Sequence, residues 1–97
     1  MCADLIERFK EKASLRSGLL LFTVQDAIEL IEVIGKEGQR VLGVDGFFLT
    51  ETTIQPSMEN SLDFSAEVTR GFNMNERALQ FLRERSRSGL HFEIMCY

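Results

Sequence analysis

Apolar side chains recur along this chain with two periods, and the switches between them mark its elements. Over residues 3–14, Leu5, Ile6, Phe9 and Ala13 fall at helical spacing with Glu and Lys between them, which predicts a short helix. "LRSG" breaks that pattern at Gly18. The run "LLLF" suits either a short buried strand or the lead-in to a helix. A short extended piece is preferred, because a better helix start follows it. Thr23 precedes Val24, and Asp26 stands three residues after Thr23, in the manner of a capping box. From Val24 to about Lys36, one apolar face forms from Val24, Ala27, Ile28, Ile31 and Ile34, widened by Leu30. Asp26, Glu29 and Glu32 fall on the other side, and Gly38 offers a left-handed cap.

The period then changes. "RVLGVDGFFL" is β-branched and aromatic, so it reads as strand. Two arrangements compete. A turn at Asp45-Gly46 leaves two very short strands. One long strand from Arg40 to Leu49 instead puts Gly46 at a bulge, the tight turn at "TETT", and a second strand at Thr53 to Gln55. The long strand builds more sheet and is preferred. Pro56 places the second strand at an edge or ends it. "SMENSLDFSAEVTRGF" reads as a long irregular loop, anchored by Leu62, Phe64, Val68 and Phe72.

Asn73 with Glu76 three residues on predicts a capped helix reaching about Arg87, with Ala78, Leu79, Phe81 and Leu82 buried and Gly89 as its stop. "LHFEIMCY" alternates cleanly: Leu90, Phe92, Ile94 and Cys96 share one face. The order helix, helix, strand, strand, helix, strand predicts a single α+β domain over residues 1–97. Its helices pack on one face of a three- to four-stranded mixed or antiparallel sheet. The last strand–helix–strand path suits a parallel crossover.

Composition narrows the function classes. In 97 residues, 44% hydrophobic and 27% charged, there is room for one modest core. The longest apolar run, residues 19–22, is far short of a membrane span. The charged, amphipathic start lacks the apolar stretch of a secretory signal, so a cytoplasmic location is expected. In that compartment Cys2 and Cys96 are expected as reduced thiols; a bond between them needs an oxidising setting. A net charge of −4 argues against nucleic acid and against an anionic membrane as partners, and permits a basic protein.

No catalytic or metal motif stands out, and no cofactor is expected. His91, the only histidine, sits mid-strand and reads as a half-exposed structural residue. Pairs such as Asp45 with Asp63, or Glu51 with Glu59, can do acid–base work when they converge, but nothing in their spacing demands it. Gly43 and Gly46 belong to no phosphate-loop pattern. Arg83, Arg85 and Arg87 suit the negative end of the last helix.

The most informative feature is charge sorting. Residues 41–69 hold Asp45, Glu51, Glu59, Asp63 and Glu67 and no Lys or Arg, and five arginines follow by residue 87. Such a window is what an electropositive cleft attracts, and apolar side chains within it can supply buried contact. The acidic balance and the series "VLGVDGF", "LDFS", helix, terminal "LHFEI" resemble the small bacterial immunity proteins, including those of contact-dependent growth-inhibition systems. The resemblance implies a non-catalytic inhibitor with one partner, a cognate toxin domain, often a basic nuclease. Charge alone assigns Asp45, Glu51, Glu59, Asp63 and Glu67 as the partner-binding residues. The alternative is a small interaction or assembly-subunit domain with no inhibitory role; a small enzyme or ligand-binding protein ranks third.

Overall fold

The computed structural model describes residues 2–64 and 73–96. Along them run α1 (Cys2–Arg8), a 3-10 turn (Lys10–Lys12), β1 (Ser14–Arg16), β2 (Leu19–Thr23), α2 (Val24–Lys36), β3 (Val41–Leu49), β4 (Ile54–Asp63), α3 (Met74–Arg83) and β5 (His91–Cys96). The fold is α+β, with the helices on one face of a sheet ordered β1-β2-β5-β3-β4. Every neighbouring pair is antiparallel. β4 and β5, joined by α3, therefore run parallel, but β3 lies between them. β2 and β3, joined by α2, are likewise parallel and split by β5. The expected parallel crossover exists only in this split form.

The helix boundaries follow from their caps. Thr23 Oγ1 accepts from the Asp26 N–H at 3.3 Å, and Asn73 Oδ1 accepts from the Glu76 N–H at 3.1 Å. Gly38 has φ +76° just past α2, where a side chain would be strained. The apolar faces of α2 and α3 meet Phe22, Val41, Val44, Phe92 and Ile94 of the sheet in one core, with Leu5 and Cys2 of α1 at its margin. Asn75 joins α3 to the start of β3: its Oδ1 accepts from the Val41 N–H at 2.8 Å and its Nδ2 donates to the Gln39 carbonyl at 2.9 Å.

Three expectations are corrected. The first helix ends at Arg8, and Ser14–Arg16 is strand. Ser17 and Gly18, with φ +51° and +81°, form a two-residue hairpin turn, and pairing with Leu19–Leu21 outcompetes a longer helix. The helix of the "MNERALQFLR" segment ends at Arg83 rather than near Arg87. The described part of the expected loop after Pro56 continues β4 as far as Asp63, and Ser14–Arg16 adds the strand that brings the described sheet to five. Pro56 is tolerated because β4 is an edge. Residues 65–72 of that expected loop lie outside the described residues.

The sheet is strongly curled. Arg16 Nη2 donates to the Thr50 carbonyl at 2.8 Å and to the Thr53 carbonyl at 3.1 Å, in the β3–β4 turn. β1 and β3 stand three places apart, roughly 14 Å in a flat sheet, too far for one arginine to cross. The β1–β2 ribbon must therefore lean over the face away from the helices. Leu21 and Phe47 are buried there, outside the helix-side core.

Cys2 and Cys96 are joined in a disulfide, with Cα atoms 5.9 Å apart, so the expectation of two free thiols is replaced by a bond between the chain's two ends. No described helix is long and apolar enough to cross a membrane.

Candidate functional site

Strand register decides which carboxylates meet. Asp45 of β3 stands directly opposite Glu93 of β5, and Gly43 stands opposite both Met95 of β5 and Asp63 of β4. Side chains alternate along a strand, so Asp45, Glu93, Asp63, Phe47 and His91 share the face away from the helices. The intervening residues Val44, Phe92 and Ile94 go to the core. Three acidic side chains thus stand on three adjacent strands, beside the buried ring of Phe47.

This row is electrostatically loaded. Partial burial, then the charge of Asp63, raise the Asp45 carboxyl above its ordinary value. Partial burial, then the charge of Asp45, raise Glu93 in the same way. Neither Asp45 nor Glu93 forms an ion pair among the described residues. His91 lies in the next row, opposite both Phe47 and Thr23. It is half-buried, as expected, and its Nδ1 is buried with no hydrogen-bond partner among the described residues. No group of three or more His, Cys, Asp or Glu among those residues is arranged to hold a metal ion.

The remaining acidic positions go elsewhere. Glu51 is exposed on the β3–β4 turn, about 20 Å along the strand direction from Asp45. Arg16 grips that turn. Glu59 sits in an excursion of β4 beside Arg85, whose Nη2 lies 3.5 Å from the Glu59 carbonyl. Glu67 lies outside the described residues. The window that lacks cations in sequence therefore receives two in space, Arg16 at the backbone of the turn that carries Glu51 and Arg85 at the backbone carbonyl of Glu59. Among the described members of the window only Asp45 and Asp63 are brought together, and the fold adds Glu93. The sequence offered one signal for Glu93, its place on the polar face of an alternating strand. Nothing in the sequence says which strand β5 adjoins.

No protein-family model matches the chain, and no curated protein matches it.

Proposed function

We propose that this chain is a non-catalytic immunity protein that binds a basic toxin domain, of nuclease type, through the carboxylate row Asp45, Asp63 and Glu93. One observation carries the reading: two half-buried carboxylates, Asp45 and Glu93, face each other across adjacent strands, and neither forms an ion pair among the described residues. Like charges directly opposite in a sheet destabilise it. A cationic side chain from a partner relieves that repulsion, so the row gains from a basic surface what it loses in the free chain. The net charge of −4 favours encounter with such a surface and disfavours nucleic acid or anionic lipid. The reading places the chain in the cytoplasm of the cell it protects.

The test is binding to the protein encoded immediately upstream. The Asp45→Lys, Glu93→Lys double variant is expected to lose most of its association rate, while Glu7→Lys with Glu11→Lys on the first helix is expected to associate as wild type does. Equal loss in both variants would show net charge at work rather than a site.

A second reading has its own observation. Leu15, Phe48 and Met58 are exposed apolar side chains, which suits an assembly subunit. Self-association in sedimentation experiments would favour it.

A further inference from the structure

We propose that the Cys2–Cys96 disulfide is a redox latch on α1: a dithiol reductant opens it, α1 leaves the core, and the sheet with α2 and α3 stays folded. α1 packs on the helix side of the sheet and the carboxylate row faces away from it, so the latch is independent of how a partner docks.

The bond is the firmest tie that α1 has. Its seven residues, Cys2–Arg8, make about two turns, and helices this short are marginal in water unless packing holds them. Of those residues only Cys2 and Leu5 are buried, with Ile6 partly so. Arg8 of α1 reaches Glu37 past the end of α2 at 3.8 Å, between side chains more than half exposed, and such a pair contributes little. The Lys10–Glu7 pair at 3.0 Å is local and holds α1 to nothing but the next turn. A closer tie to α2, Lys12 Nζ to Glu29 Oε1 at 3.1 Å, lies in the 3-10 turn after α1 has ended. That turn leads into β1, which is held by its pairing with β2 and by the grip of Arg16 on the β3–β4 turn. Release of α1 therefore has a natural boundary near Phe9.

The two states differ in what orders α1. With the bond closed, Cys2 is fixed to the end of β5, and Leu5 is carried into the core between helix and sheet. With it open, burial of Leu5 and part of Ile6 has to offset the ordering of seven residues alone, and the ordering costs more. The remaining core does not need α1: Phe22, Leu30, Ile31, Ile34 and Val41 are fully buried in it, and Asn75 pins α3 to the start of β3. Elements with few buried contacts open locally while such a core stays closed. The redox step balances. A thiolate of the reductant attacks one cysteine sulfur and forms a mixed disulfide, and the reductant's second thiol resolves it. Two electrons and two protons pass to Cys2 and Cys96, which become thiols, and the reductant closes to its own disulfide. Cys96 is the half-buried member of the pair and gives the reductant access, whereas Cys2 is 5% exposed. The step reverses, because docking of α1 returns the two Cα atoms to 5.9 Å, within bridging range.

The experiment follows amide hydrogen exchange in the full chain, once oxidised with oxidised glutathione and once in excess dithiothreitol, with thiol labelling to confirm each state. The Cys2→Ser, Cys96→Ser double variant is measured alongside. Reduction is expected to speed exchange over residues 2–8 about tenfold or more and to leave α2, β3 and α3 within about twofold. The double variant is expected to exchange over α1 as the reduced protein does, and to be indifferent to dithiothreitol. Slow exchange over α1 after complete reduction would overturn the latch, because packing alone would then hold the helix. Exchange that speeds equally over α2 and β3 would overturn it as well, because the bond would then hold the whole fold. Two thiols that stay free in the oxidised sample would remove the bond on which the latch depends.

Discussion

At the scale of single residues, the Asp45–Glu93 pair shows how register creates chemistry that spacing does not. The two lie 48 positions apart and meet only because β5 inserts between β2 and β3. Both groups hold their protons more tightly in the folded chain than in the unfolded one. They therefore favour folding below their ordinary values of 3.8 and 4.5, and that contribution is lost as pH rises through the raised folded values. Asp45→Asn, or Glu93→Gln, is expected to stabilise the free protein at neutral pH by about 0.5 kcal/mol, the size of a cross-strand charge pair. The gain should shrink as pH falls toward about 4. Urea unfolding at two pH values measures this. A neutral-pH loss of stability would mean that the carboxylates hold the sheet together instead of straining it.

At the scale of elements, the parts that were legible in the sequence are those fixed by local chemistry. Thr23 and Asn73 cap the helices they were expected to cap, and the last strand buries the face its alternation marked. The long β3 with its turn at residues 50–53 won over a hairpin at Asp45-Gly46, and Gly46 lies at a bulge. The parts that were illegible depend on partners distant in sequence. Ser14–Arg16 looks helical by its neighbours and becomes strand only by pairing with Leu19–Leu21. The stretch after Pro56 looks like loop because its apolar residues are sparse, yet an edge strand buries little. Its irregular composition reflects the extrusion at residues 58–60, which needs the polar side chains of Ser57, Asn60 and Ser61. Gly46→Ala tests that account. The new Cβ meets backbone that cannot move freely, so a loss of about 2 kcal/mol is expected by chemical denaturation. A neutral result would mean the extrusion is loose.

At the scale of the whole molecule, two ties join distant parts of the chain. Arg16 holds the β1–β2 ribbon to the β3–β4 turn, and the Cys2–Cys96 bond closes a loop of 94 residues. By the chain-entropy account, a bond of that span stabilises by about 4.7 kcal/mol. Disulfides are rare in a reducing cytoplasm, where the proposed function places the chain. Phe22, Leu30, Ile31 and Ile34 are fully buried core residues well removed in sequence from both cysteines. The reduced protein is therefore expected to stay folded with a lower melting temperature. Melting with and without reductant checks this; collapse of the fold on reduction would instead assign the chain to an oxidising compartment. Charge sorting was legible at this scale only in part. The window without cations suggested one acidic surface, and among the described residues folding divides it into a carboxylate row and two outlying positions, Glu51 and Glu59, on segments whose backbone Arg16 and Arg85 hold. That division makes the claim narrower and easier to test.

The central claim is that a basic protein docks on the carboxylate row, and its most direct test is the salt dependence of binding to the protein encoded immediately upstream. The account predicts tight binding at low salt with an association rate that falls steeply as salt rises, because screening removes the long-range attraction between exposed charges. A rate indifferent to salt, or no binding at low salt, would contradict it.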